Sequence, residues 1–218
     1  GPARTRAPSA APGCLPLAPP APTLGDVTNR RIMTGRLWWP AALLLGAVAL
    51  RVWSAAALLR DLRVREPVLD GLHYLELAQR LARGEGWPAG PIFMTPFYPA
   101  VLSALFRAGA APVPAVVALQ TVLGIATLVL LFFTVRRDLG APAAWGAAAL
   151  FALCGPAIAM ESQVLTESLL LFLAVAAVWL WPRAGRPAWG LFAFGIVAGL
   201  LTMGRGVFLL LPAAALGL

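Results

Sequence analysis

Long apolar runs dominate the chain and are separated by short polar segments. A helix needs about 20 residues to cross a bilayer core of about 30 Å. Runs close to this length lie near residues 37–59, 113–135, 141–160, 165–182 and 188–203, and a sixth run starts near 206. The pattern predicts an all-α fold, a polytopic transmembrane helix bundle of five to six spans. We expect residues 33–218 to form the N-terminal part of a larger transmembrane domain.

Residues 60–112, between the first two runs, are more polar than the rest of the chain. Leucines recur there near helical spacing, with charged and amide residues at other positions: Leu69, Leu72, Leu77 and Leu81 against Glu76, Gln79, Arg80 and Arg83. This spacing predicts an amphipathic juxtamembrane helix that ends near Gly84 and Pro88. The segment "TPFYPAVLSALFRAGA" predicts a second short helix, interfacial or re-entrant, with Phe97 and Tyr98 at headgroup depth.

The arginines predict how the spans are oriented. They cluster before the first run, after the second and after the fourth, as Arg30, Arg31 and Arg36, then Arg136 and Arg137, then Arg183 and Arg186. All three clusters fall on one side if every run crosses the membrane once, and the positive-inside rule makes that side the cytoplasm. We therefore expect a multi-pass protein of the bacterial inner (plasma) membrane, with a cytoplasmic N-terminus and an extracytoplasmic loop at 60–112.

Composition supports the membrane assignment and excludes several other classes. Hydrophobic residues make up 60% of the chain, charged residues 12%, and mean hydropathy is +0.81. The net charge of +8 comes from arginines scattered at the ends of apolar runs, so we expect membrane lipids and no nucleic acid as partners. Cys14 and Cys154 form no CxxC motif. Residues 1–32 are rich in Pro, Ala and Arg and are predicted to be a disordered tail.

Four ionisable residues lie where the hydrophobic pattern does not require them, namely Asp70, Glu161, Glu167 and Arg205. The predicted topology brings all of them to the extracytoplasmic face. An ionisable group at a membrane boundary costs a few kcal/mol unless it pairs or reaches water, so such a cluster indicates a functional site.

The same residues also have purely structural interpretations. Asp70 is typical of a helix N-cap, Glu167 of a first helical turn, and Arg205 of an interfacial anchor. His73 is typical of a solvated helix position, and one histidine does not make a metal site. Gly195 and Gly199 indicate close helix packing.

Four segments in order resemble a known family. They are "DGLHYLELAQRLARGEGW", "TPFYPAVLSALF", "ESQVLTESLLLFLAVAAVWL" and "GIVAGLLTMGRGVFLLLPAAAL". Together they resemble the polytopic GT-C glycosyltransferases of the protein mannosyltransferase type, glycosyltransferase family 39, and bacterial relatives such as lipid A aminoarabinose transferases. The resemblance covers about residues 37–218 and implies the N-terminal fragment of such an enzyme, inactive on its own.

The resemblance also implies an activity and roles for individual residues. Such enzymes transfer a hexose or pentose from a polyprenyl-phosphate donor to a hydroxyl of a lipid, glycan or protein acceptor at the outer face. Asp70 would be the general base and Arg205 would face the donor phosphate. His73 and Tyr74 would line the donor, Tyr98 would contact substrate, and Glu161 and Glu167 would bind sugar hydroxyls or hold an arginine. No cofactor is implied, and a divalent metal stays open.

Two differences from the family leave the donor sugar open. Gly71 follows Asp70 where many relatives have Glu, and His73 stands where aminoarabinose transferases carry Arg. Two other classes also remain: a membrane transporter or lipid flippase, and a non-catalytic assembly subunit. A transporter would show polar or broken helices near the membrane midplane, whereas the apolar runs here predict uninterrupted helices.

Overall fold

The computed structural model describes residues 38–60, 69–89, 94–181 and 187–216, and the regular secondary structure of these ranges is entirely helical. The helices are α1 (Trp38–Leu58), α2 (Asp70–Ala82), α3 (Phe97–Arg107), α4 (Pro112–Leu139), α5 (Ala141–Ala152), α6 (Gly155–Glu161), α7 (Glu167–Leu180), α8 (Ala188–Gly204), a 3-10 turn (Gly206–Leu209) and α9 (Leu210–Leu216). The predicted tail at 1–32 and the arginines at 30, 31, 36, 183 and 186 lie outside the described residues.

The all-α fold is confirmed for the described residues, while five to six full-length membrane spans are not. α4 has 28 residues and is the one described helix that is long and apolar enough to cross a membrane. α5 and α6 pass the same test only when they are taken together, with a bend of 57° between them. Three apolar helices of 10–17 residues are shorter, namely Ala42–Leu58 within α1, α7 and α8. Length and composition thus support one or two spans among the described residues.

The prediction of an uninterrupted helix over 141–160 is wrong. The chain leaves the helix at Leu153 and Cys154 and begins α6 at Gly155. Pro156 explains the break, because in a continuous helix its ring would clash with the carbonyl of Ala152 and it could not donate the hydrogen bond to it. At the start of α6 the same proline fits, because the first turn needs no amide donors.

Residues Pro40–Leu218 form one compact unit, and of the other, Gly1–Trp39, only residues 38 and 39 are described. Within the larger unit α4 is central, packing against α5, α6, α7 and α3. The largest core cluster joins α2, α3, α4, α7 and α8, and its fully buried members include Ala78, Leu102, Val116, Ala177 and Leu201. A second cluster joins α1, α4 and α5 around Leu128 and three alanines of α5.

The two predicted juxtamembrane helices are observed as α2 and α3, which pack on each other. Gly84, at the predicted break just after α2, adopts a positive φ, which glycine tolerates. The predicted apolar face of α2 is partly wrong, because Leu69 is 80% exposed and Leu72 is 41% exposed. Leu81 is buried as predicted, together with Gly71, Tyr74, Leu75 and Ala78. These positions form a continuous stripe at helical spacing, which the leucines alone do not.

The glycines of α8 do not mark close packing within the described part of the chain. Gly195 and Gly199 are exposed, and an added Cβ would meet no atom within 4 Å at either position. Close approach occurs instead at Gly204, against the Leu170 side chain, and at Gly124 of α4.

Candidate functional site

Glu167 and Arg205, which the sequence placed at a common site, form an ion pair. Glu167 is the first residue of α7, where a carboxylate suits the positive end of the helix. Arg205 directly follows α8 in extended backbone, and its Nη2 donates to Glu167 Oε1 at 2.7 Å. The Arg205 side chain is 58% exposed. Glu167 therefore holds an arginine, one of the two roles suggested for it, while more than half of the arginine side chain stays exposed.

A buried set of hydrogen bonds, centred on Gln120, lies beside this pair. Gln120 of α4 is fully buried, and its Nε2 donates at 2.7 Å both to the Tyr98 hydroxyl and to the Leu165 carbonyl. These bonds tie α3 and the segment before α7 to α4. Burial raises the pKa of the Tyr98 phenol well above its usual range, and the charge of Glu167 raises it further. Tyr98 is thus a neutral core residue; the sequence had suggested neither this burial nor the part played by Gln120.

Tyr74 connects α2 to the same region. Its ring meets the Tyr98 ring edge-to-face at a centroid distance of 5.1 Å. Asp70 lies four residues before Tyr74, one turn away on the same face of α2. Asp70 is exposed and is the first helical residue; the cap position belongs to Leu69, and no side-chain cap bond is present there. The capping interpretation of Asp70 is therefore not supported. His73 is exposed on α2.

Glu161 also holds an arginine, one of the two roles suggested for it, in a second and buried ion pair whose partner the sequence did not predict. Its partner is Arg51, in the middle of α1, and the Arg51 side chain has no exposed surface. Arg51 Nη2 also donates to the Phe151 carbonyl at 3.1 Å, and its guanidinium lies 4.8 Å from the centroid of the Phe151 ring. Arg51 is thereby a second donor, besides the Cys154 amide, to a carbonyl in the last turn of α5, where a cation is favourable. A single arginine inside an apolar run was the available signal.

Gly124 of α4 makes room for this pair, because a Cβ at that position would overlap the Glu161 carboxylate. Next to it lies a cavity of about 30 Å³. Its lining includes both glutamates: Gly124, Thr127, Phe151, Ala157, Met160, Glu161, Glu167, Ser168 and Leu171. The cavity therefore joins the buried ion pair to the exposed one. Asp70 and Arg205 are not among the lining residues.

The sequence-predicted residues thus fall into two sets. One is a connected group, and the other consists of the exposed residues Asp70 and His73. Tyr74 contacts Tyr98, and Gln120 links Tyr98 to the Leu165 carbonyl, two residues before Glu167. Glu167 pairs with Arg205 and shares the cavity wall with Glu161. Asp70 and His73 reach this group only through α2. In the described ranges no three His, Cys, Asp or Glu residues gather as metal ligands would.

Comparison with family models, curated proteins and solved structures gives no match to this chain. A functional assignment therefore depends on the residues and contacts described above.

Proposed function

We propose that this chain is the N-terminal part of a polytopic membrane glycosyltransferase. It would transfer a sugar from a polyprenyl-phosphate donor to an acceptor hydroxyl at the extracytoplasmic face. The apolar runs and the order of the four segments noted above support the class.

The observation that carries the proposal is the exposed Arg205 guanidinium held by Glu167. One Nη2 hydrogen bond to Glu167 holds it, while 58% of the arginine side chain is exposed. A planar guanidinium with free donors is well suited to a phosphate, which it can bind in a bidentate manner. Glu167 would then be a positioning residue for the arginine that receives the leaving phosphate.

Asp70 is the proposed general base. It is exposed at the start of α2, one turn from Tyr74, whose ring contacts Tyr98 beside the Glu167 site. A base must be open to the acceptor, and it must remove the hydroxyl proton while the new bond forms. His73, on the same turn, would contact the donor.

The test is sugar transfer by the full-length protein with Asp70→Asn. Loss of a general base should reduce release of polyprenyl phosphate from a labelled donor by about 100-fold to 10,000-fold. Glu76→Gln is the matched control, since Glu76 is an exposed carboxylate on another side of the same helix. It should keep normal turnover. Wild-type turnover in a folded Asp70→Asn protein would reject Asp70 as the base.

One observation favours the alternative, a membrane transporter or lipid flippase. The break between α5 and α6, with a buried Arg51–Glu161 pair against it, is the kind of interrupted helix that lines transport sites. Uptake or lipid-scrambling assays in vesicles that contain the purified protein separate the two functions. Transport without release of polyprenyl phosphate would favour the alternative.

A further inference from the structure

An apolar groove of about 320 Å³ lies between α1 and the end of α5. Its wall is formed by positions 42, 43, 46, 47 and 50 of α1 and by positions 149, 152 and 153, all of which carry apolar residues. Gly46 widens the groove, because an added Cβ there would meet no atom within 4 Å. The volume is in the range of small-molecule sites, roughly 300–1,000 Å³. A groove of this size and composition suits a hydrocarbon chain.

The groove extends toward the end of the bundle at which α4 ends. Arg51 and Gly124 lie at the same level, since both are next to the Glu161 carboxylate. Ala47, one turn before Arg51, shares a buried cluster with Phe132, two turns after Gly124. α1 therefore runs antiparallel to α4, and the first groove positions of α1 lie at the level of the last turns of α4.

Arg136 is an exposed cation in these last turns of α4. It follows Phe132 by one turn, and its guanidinium lies 6.0 Å from the centroid of the Phe132 ring. The nearby Asp138 carboxylate is bonded to Arg137 instead, at 2.9 and 3.2 Å. Within the described ranges no carboxylate forms an ion pair with Arg136. Its positive charge is therefore left without a counter-charge from these ranges.

We propose that the groove between α1 and α5 binds an acyl chain of an anionic membrane phospholipid, and that Arg136 binds the phosphate of its headgroup. The groove supplies apolar contact for the chain, and the guanidinium supplies hydrogen bonds and charge for the phosphate. A lipid with a net negative headgroup balances the charge of Arg136, whereas a zwitterionic lipid does not. The inference requires the membrane location proposed above, but it does not require sugar transfer.

This lipid site is separate from the phosphate site proposed at Arg205. Gln120 bonds to the Leu165 carbonyl, two residues before the glutamate that pairs with Arg205. Arg136 follows Gln120 by 16 residues on α4, which corresponds to a rise of about 24 Å. One donor phosphate therefore cannot contact both arginines, and loss of the lipid site would leave the proposed activity untouched.

Native mass spectrometry of the purified full chain, stripped of lipid in detergent, measures the binding. The probes are phosphatidylglycerol and phosphatidylcholine with identical acyl chains, which differ in net headgroup charge. We expect phosphatidylglycerol to bind about five-fold more tightly, the effect of one arginine near a headgroup. Inorganic phosphate at the same concentration should not displace it. Equal binding of the two lipids, or displacement by inorganic phosphate, would overturn the proposal.

Arg136→Gln tests the headgroup contact. The variant should lose the preference for phosphatidylglycerol and keep its binding of phosphatidylcholine. Arg60→Gln is the control, because Arg60 is an exposed arginine whose neighbour Leu59 packs near Val113, at the other end of α4. It should keep the five-fold preference. If Arg136 only favours the C-terminal end of a helix, Arg136→Gln lowers Tm and leaves the preference unchanged, which contradicts the headgroup contact.

Gly46→Leu tests the groove, because the leucine side chain would fill it without overlapping another atom. Binding of both lipids should weaken on the order of ten-fold, the effect of about two displaced methylenes. Gly146→Leu on α5 is the control, since Gly146 is equally open but does not line the groove. If Gly46→Leu does not fold, Gly46→Ala tests the same contact with a smaller expected loss.

Two results with the Gly46 variants would overturn the groove assignment. One is unchanged binding of both lipids in a folded variant. The other is a wild-type dimer that Gly46→Leu dissociates while Gly146→Leu does not, since a second copy of the chain would then occupy the groove.

Discussion

Glu161→Gln tests how strongly the buried ion pair supports the fold. The change removes the counter-charge of Arg51, whose side chain has no exposed surface. Arg51 can still donate to the new amide oxygen and to the Phe151 carbonyl at 3.1 Å, and it keeps the Phe151 ring at 4.8 Å, but no negative charge remains beside it. Leaving one charge of a buried pair uncompensated costs about 3 to 5 kcal/mol. We expect a loss of this size in the free energy of unfolding.

Two further variants give this prediction its controls. Glu167→Gln breaks the other ion pair, but its partner Arg205 is 58% exposed, so the loss should stay below about 1 kcal/mol. The double change Arg51→Met with Glu161→Met removes both buried charges and keeps much of the volume. It should recover most of the stability lost in Glu161→Gln, because no uncompensated charge remains.

Denaturant titration of the four proteins, in one buffer and one detergent, measures the free energies of unfolding. The reasoning fails if Glu161→Gln and Glu167→Gln cost the same. It also fails if the double variant is less stable than Glu161→Gln, since Arg51 would then stabilise the fold without needing its counter-charge.

Two more predictions concern the neighbours of the site. Gly124→Ala should destabilise the fold by about 1 to 3 kcal/mol, because the added Cβ would overlap the Glu161 carboxylate that Arg51 holds in place. Gly146→Ala is the control: its added Cβ meets no atom within 4 Å, so it should be neutral or stabilising in the same titrations. Burial raises the pKa of Tyr98, so stability should be fully present below about pH 10 and fall above it, because the unfolded chain releases the phenol proton first. Tyr98→Phe should remove that part of the decline, and an unchanged slope between about pH 10 and pH 11 would contradict the assignment.

Local patterns in the sequence were enough to predict α2, α3 and the glycine break after α2. They failed on which residues of α2 are buried, because the small Gly71 and Ala78 lie in the buried stripe of the helix, where hydrophobicity pointed to Leu69 and Leu72. Pro156 indicates the break between α5 and α6, whereas the hydropathy pattern alone does not show this break.

The site was predictable only where charge stood out from an apolar background. Glu167 and Arg205 did so, and they pair. Arg51 did not point to Glu161, because the two residues are 110 positions apart and no local spacing relates them. Gln120 lies on the buried face of α4, and its role depends on two groups from other parts of the chain, the Tyr98 hydroxyl and the Leu165 carbonyl.

The separation of Arg51 from Glu161 sets an order of events during synthesis. Arg51 leaves the ribosome 110 residues before its partner, an interval of about 5 to 20 s at usual translation rates. In the membrane that we propose, α1 carries an unmatched guanidinium during that time, at a cost of about 2.5 to 3.5 kcal/mol at the helix centre. We therefore expect α1 to remain at the translocon or the membrane interface until α6, which carries Glu161, has been synthesised. Only then would α1 pack into the bundle.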